Sequence, residues 1–253
     1  MYSEKNIRRV IIAGLLLAIT LLLAFTPTIG FIPVPTPAAN ATIVHIPAII
    51  GGILEGSLVG LIIGMGFGFA SLIRATIPAF KDPLVAILPR LFIGVAASLI
   101  FSAFYRASKR TLYILLGSLA FVVLAVVAIL TGISPDLLAR LKSLSTLTAG
   151  MAEFKLWQGL LIAGVTVAIA VGLSVWMWRE DTRIVATALA AAAGSLTNTV
   201  LVLTMATLRG YFTAGMSLVI GLAQGIPEMV VSIIIVVAVV AAVRQFGRRK
   251  SRL

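Results

Sequence analysis

From Val10 to Leu54 the chain carries no Asp, Glu, Lys or Arg, and the only titratable side chain in that stretch is His45, the single histidine of the sequence. A run of this kind cannot clothe itself in water-facing groups. It suits a bilayer, where each backbone N–H and C=O must find its partner inside the protein. A helical crossing there needs about 20 apolar residues, fewer where neighbouring segments shield it.

The whole composition agrees. The residues are 60% hydrophobic and 11% charged, with a mean hydropathy of +1.15, whereas a globular domain is roughly 45–50% apolar and about 25% charged. The expected class is an all-α integral membrane protein, a single transmembrane domain over 1–253. There is no cysteine, which removes disulfides, thiolate metal sites and thiol nucleophiles together. One histidine and eight acids leave little material for a metal centre or an acid–base pair. No catalytic residue, metal or cofactor is expected, and the chain does not read as an enzyme. Phosphate-cradling GxxxxGK[ST] and dinucleotide fingerprints are also missing. Any active transport would draw on an ion gradient or on a partner that hydrolyses ATP.

Taken in order, the first apolar run is Ile7–Phe25. Pro27, Pro33, Pro35 and Pro37 follow, each removing a donor and fixing φ, so 26–41 is a loop. Ala39-Asn40-Ala41 mimics a signal cleavage site, but it lies too far beyond the apolar run for that reading. Ile43–Leu54 is a short second span. Leu58–Ile73 is the third, with Gly60, Gly64 and Gly68 four apart on one face, which permits close backbone approach. Leu84–Phe104, with Pro89 and Arg90 near its start, and Leu112–Leu130 are the fourth and fifth. Ser134–Trp157 contains an amphipathic stretch, Leu137, Leu138, Leu141 and Leu144 opposite Arg140 and Lys142. It is open to reading as a surface-lying helix or as an ordinary loop helix. Leu160–Trp178, Ile184–Leu208 and Ile226–Val243 complete eight crossings, with Gly210–Gly225 expected as a mixed re-entry.

Eight crossings put both termini on one side, which then holds thirteen Lys and Arg against seven on the other. That bias predicts a multi-pass protein with both termini cytoplasmic and loop 26–41 outside. The net charge of +12 is thus an orientation signal, and no nucleic-acid partner is expected.

Polar groups inside a bilayer are costly and usually face a cavity or a partner. On this topology His45, Arg90, Asn198, Gln224 and Glu228 fall at one depth, near the outer half. His45 either contacts a ligand or satisfies a neighbouring carbonyl. Arg90 either forks a carboxylate or snorkels outward, and Asn198 has hydrogen-bonding capacity for a ligand or another helix. Glu228 suits a structural role, paired with Arg90 or Arg209 or seated at a positive helix N-terminus. Gly14 and Ala18 make a small-xxx-small pair, for packing within the bundle or for docking another membrane protein.

Three motifs carry a resemblance. TIVHIPAIIGGILEGSLVG (42–60) with GMGFGFAS (64–71), AGSLTNTVLVL (193–203) and GIPEMVVS (225–232) resemble the second and third, fifth, and sixth helices of the S components of energy-coupling factor (ECF) transporters. The likeness covers 5–108 and 184–247. It implies a six-helix vitamin-capture subunit that associates with a transmembrane coupling subunit and two cytoplasmic ATPases. It also implies substrate contacts at Asn40, Thr42, His45, Arg90 and Asn198, and partner docking at Gly14 and Ala18. Residues 111–183 then read as two extra transmembrane helices inserted between the usual fourth and fifth. H-I-P and L-T-N-T look most like the pantothenate-type branch, and Arg90 with Arg74 and Arg209 suits a small carboxylate-bearing vitamin. The alternative is a stand-alone ion-coupled secondary transporter, with Glu228 or His45 as the coupling group.

Overall fold

The computed structural model describes residues 4–26, 29–130, 164, 167–168, 171–172, 174–176 and 178–250. Its backbone divides into two compact units, Met1–Arg106 with Arg183–Leu253, and Ala107–Thr182.

The first unit is built on helices α1 (Glu4–Phe25), α2 (Ile46–Glu55), α3 (Ser57–Ile73), the short α4 (Pro78–Lys81) and α5 (Pro83–Ala86), α6 (Leu88–Arg106), α8 (Thr182–Leu208), α9 (Ala214–Ile220) and α10 (Ile226–Lys250). Among the described residues, four helical segments are long and apolar enough to cross a membrane: Asn6–Phe25, Pro83–Arg106, Thr182–Leu208 and Ala214–Gln245. Two shorter apolar helices, Ile46–Glu55 and Ser57–Ile73, accompany them. The protein is an all-α membrane protein.

Helix α2 is the hub. Residues 46–53 are all buried, as expected of a helix apolar on every side. Its Ile46, Ile49, Ile50 and Ile53 join one core with Leu16 and Ala24 of α1, Ile63 and Phe67 of α3, Ile93 and Ala97 of α6, Ala190 and Ala191 of α8, and Val236 and Val240 of α10. Six helices therefore share one core. At ten residues α2 extends only about 15 Å, half a hydrocarbon core of about 30 Å. The chain turns at Gly56, whose φ of 95° suits a residue without Cβ. Arg9 donates to the exposed Glu55 carbonyl from Nε and Nη2 (3.0 and 2.7 Å), capping the end of α2.

The glycine ladder is the seam between α3 and α6. A Cβ on Gly60 would lie 2.7 Å from Gly94 Cα, one on Gly68 2.9 Å from Ile87 Cα, and one on Gly64 would strike the Arg90 carbonyl oxygen. These helices meet backbone to backbone, which fixes where Arg90 leaves α6.

The proline-broken loop is more ordered than a coil. Phe31–Pro33 (β1) pairs antiparallel with Asn40–Thr42 (β2), Phe31 opposite Thr42 and Pro33 opposite Asn40. The tip closes through Val34 N–H to Ala39 O (2.9 Å) and Ala39 N–H to Thr36 O (2.8 Å), with Ala39 at φ 65°. A left-handed alanine costs of order 1–3 kcal/mol and persists only where its surroundings over-determine it.

The expected re-entry at 210–225 is instead the first part of one long helix. Gly210 at φ 76° ends α8, with Tyr211 N–H returning to Ala206 O (2.9 Å). Thr213 caps α9 by accepting from Met216 N–H (3.2 Å). The helix then passes through a π turn, Gly221–Gly225, into α10. The cause lies in Pro227, which has no N–H to give and whose ring crowds the preceding turn of a regular α-helix. A widened turn accommodates both.

In the second unit, α7 (Lys109–Leu130) starts with Thr111 N–H donating to Ser108 Oγ (3.2 Å). Lys109 Nζ donates to the carbonyls of Trp178 and Glu180 (3.1 Å each), and Tyr113 OH to that of Ser174 (3.4 Å). The amphipathic stretch within Ser134–Trp157 lies outside the described residues, as does most of the span Leu160–Trp178.

Candidate binding cavity

One end of the first unit encloses a cavity of about 150 Å³. By the measure in which one water occupies roughly 10–15 Å³, it has room on the order of ten waters. Its walls come from the hairpin, the C-terminal ends of α3 and α8, the N-terminal end of α6, and the π turn with the start of α10. The start of α1 and the end of α10 lie at the other end of the unit: Arg9 of α1 meets Glu55, while Arg74 after α3 meets Ala24 at the far end of α1.

Arg90 is the cavity's buried cation, 4% exposed. Its guanidinium lies over two rings, 5.5 Å from the centroid of Phe67 and 5.4 Å from that of Phe80. Such stacking is worth about 0.5–2 kcal/mol per ring. Nη1 donates to the Val85 carbonyl, whereas Nε is buried and makes no hydrogen bond within the protein. Asn198, 5% exposed on α8, lines the same cavity, and its Oδ1 is likewise buried without a protein partner. Buried polar groups are nearly always hydrogen-bonded, so a donor and an acceptor left over in one cavity call for an explanation.

The hairpin forms the cover. Asn40, Thr42, Ala38 and Phe31 all line the cavity, which follows from period-2 alternation and the tight tip. Thr42 N–H donates to Glu228 Oε1 (2.6 Å), and Thr42 Oγ1 donates to Gly30 O (3.0 Å) while accepting from Val44 N–H (3.1 Å). One turn before Glu228, Gln224 Nε2 donates to Thr36 Oγ1 at the hairpin tip. Residues four apart share a helix face, so one face of this helix grips the cover at two points.

Four of the five expected contact residues, Asn40, Thr42, Arg90 and Asn198, thus meet at one cavity, and His45 does not line it. His45 is fully buried at the start of α2, with Nε2 2.8 Å from Ser232 Oγ on α10. Ser232 gives its proton to Glu228 O (2.7 Å), so the ring donates from Nε2. His45 ties two helices together. Glu228 lines the cavity, but its hydrogen-bond partner is the Thr42 backbone rather than Arg90 or Arg209.

Arg74 lines the cavity, over the Phe31 ring at 5.3 Å and bonded to the Ala24 carbonyl. Arg209 does not line it. Its Nε is 2.7 Å from Asp82 Oδ2, to which Tyr211 OH also donates (3.3 Å). These bonds hold the Asp82 carboxyl below the usual carboxylate range and raise the Arg209 guanidinium. Phe67, Phe80 and Phe31 were not singled out from sequence, since aromatics in an apolar run read as core. An arginine one turn into a span was the available signal, because a buried guanidinium calls for flat partners.

Gly14 and Ala18 lie on an exposed stripe of α1 with Val10 and Leu22 (72% and 64% exposed). A Cβ on Gly14 would meet nothing within 4 Å. Among the described residues, no three His, Cys, Asp or Glu side chains are grouped to hold a metal ion.

The model of one protein family, described as "ECF transporter, substrate-specific component", matches residues 8–170. The matched range runs past Arg106 into the second unit. A search of curated proteins finds no match.

Proposed function

The chain belongs to the family of ECF transporter substrate-specific components, and from that premise we propose that it captures a small carboxylate-bearing vitamin, pantothenate among the candidates. The family associates with a transmembrane coupling subunit and an ATPase module in general. For this chain the reading is capture in the cavity under the hairpin, followed by ATP-driven release through one coupling subunit and two cytoplasmic ATPases. The observation that carries the substrate class is the buried Arg90 with its unpaired Nε, in a cavity that Asn198, with its unpaired Oδ1, also lines. A carboxylate satisfies the first and a hydroxyl or amide N–H of the same small molecule satisfies the second.

Substrate contacts are assigned to Asn40, Thr42, Arg90 and Asn198, with Arg74 at the rim. His45 acts by holding α2 to α10. The hairpin is the external cover and both termini are cytoplasmic, in keeping with the bias of Lys and Arg toward their side. Gly14 and Ala18 offer a bare strip of α1 for the coupling subunit. The helix pair expected at 111–183 lies largely outside the described residues, and the capture reading rests on the first unit alone.

Equilibrium binding of the purified protein to a panel of vitamins tests the reading. A ligand held far more tightly than millimolar is expected, millimolar being only about 4 kcal/mol. If nothing in the panel binds better than that, capture is the wrong function. Co-expression with ECF coupling and ATPase subunits, followed by co-purification, tests the partnership separately.

A further inference from the structure

A second space lies against the first. It is an apolar groove of about 480 Å³ between the C-terminal half of α8 and α9, lined by Leu196, Val200, Leu208, Leu218 and Leu222 among others. Its polar lining is hydroxyl, and two of those hydroxyls, Thr207 Oγ1 and Ser217 Oγ, satisfy one another at 2.7 Å. No charged side chain lines it.

Cavity and groove share two lining residues, Thr199 and Leu203. These side chains form the partition, and what faces them is glycine. A Cβ on Gly225 would lie 2.8 Å from Thr199 Cγ2, and one on Gly221 would lie 3.4 Å from Leu203 Cδ1. Both glycines bound the π turn, a feature frequent at functional sites. The wall is therefore two side chains resting on bare backbone, with Thr199 Oγ1 also donating to Ser195 O (3.3 Å). On one side stand Arg90, Asn198 and Glu228, and on the other is a space about three times larger with an aliphatic lining.

We propose that the ligand is amphipathic, an anionic head at Arg90 with an apolar arm that passes between Thr199 and Leu203 into the groove of α8 and α9. This deepens the capture reading and rests on it. The shared partition of Thr199 and Leu203 selects the occupant: the charged cavity and the aliphatic groove stand back to back across two side chains, the spacing of a head and an arm on one molecule.

The test uses protein in nanodiscs titrated with butanoate, hexanoate, octanoate and decanoate. Wild type is expected to bind each longer acid more tightly, by roughly threefold per methylene that leaves water. Thr204→Trp and Leu218→Trp fill the groove from opposite walls, at positions that do not line the cavity. Either should flatten the series and leave the butanoate affinity unchanged. A wild-type series of equal affinities overturns the apolar arm while leaving carboxylate capture standing. So does a rise that persists in both tryptophan variants, which then reports partition into lipid only. Failure of every acid to bind, or butanoate binding indifferent to Arg90→Gln, overturns the carboxylate site and the arm with it.

Discussion

The backbone N–H of Thr42 donates to Glu228 Oε1 at 2.6 Å, a bond between residues 186 positions apart. It fastens the base of the hairpin to the start of α10, while Gln224 fastens the tip through Thr36. Glu228→Leu leaves a buried N–H without a partner, which costs about 1–3 kcal/mol. Glu228→Gln keeps an acceptor and should cost less than half as much. Thermal unfolding should rank wild type, Gln and Leu in that order, and ligand release should accelerate in the same order. Equal release rates in all three would mean that the cover is not held here.

The sequence made this pairing only half legible. Glu228, Gln224 and Asn198 stood out because a polar side chain in an apolar span needs a reason. Which backbone group answers Glu228 depends on the hairpin register, and prolines 33, 35 and 37 mask strand pairing by removing donors. The long helix through Gly221–Gly225 was hidden for a related reason: glycines and Pro227 read as a break, and a π turn absorbs them without one. By contrast, the glycine ladder of α3 spoke for itself, since a four-residue spacing on a helix has one geometric meaning. His45 does not line the cavity, and depth in the membrane alone does not tell a lining side chain from one packed behind it.

Arg90→Lys should weaken carboxylate binding by at least tenfold, although the charge is kept. An ammonium is a point donor and cannot reach over both Phe67 and Phe80 while donating to Val85 O and to a ligand. Calorimetric titration of both proteins with the same ligand checks this. A lysine variant that binds like wild type removes the guanidinium fork from the site.

His45→Ala should lower stability by about 1–3 kcal/mol, because it strips Ser232 of a buried partner and opens a void in the core. Ligand affinity measured below the unfolding transition should change less than twofold. The opposite pattern, a stable protein with weak binding, would return His45 to the binding site.

Gly14 and Gly64 should respond in opposite ways to a larger side chain. Gly64→Val drives a side chain into the Arg90 carbonyl and forces α3 from α6, an overpacking cost of about 1–3 kcal/mol. Gly14→Leu meets open space and should leave the isolated subunit at least as stable, since glycine is a poor helix former by about 1 kcal/mol. If α1 is the docking strip, the same Gly14→Leu lowers recovery of the coupling subunit on co-purification. Unchanged recovery would send the docking surface elsewhere.

The Asp82 cluster gives the pH prediction. Asp82 Oδ2 receives Arg209 Nε and Tyr211 OH, while Oδ1 receives Leu84 N–H at the start of α5 (2.9 Å). The Asp82 side chain is 6% exposed and that of Arg209 49%. The bonds from Arg209, Leu84 and Tyr211 lower the folded carboxyl from its ordinary 3.8. A depressed folded pKa means that the stabilisation is fully present above the unfolded value, near 3.9, and is lost as pH falls through the folded one. Asp82→Asn keeps one oxygen, enough for the Leu84 N–H, and has no charge to titrate. Wild type should therefore unfold at a higher temperature than Asp82→Asn, by an amount that is constant from neutral pH down to about 5 and shrinks below about 4. High salt should narrow the gap at neutral pH, since the arginine is half in solvent. A gap that widens in acid would show that Asp82 is held by something other than its ion pair.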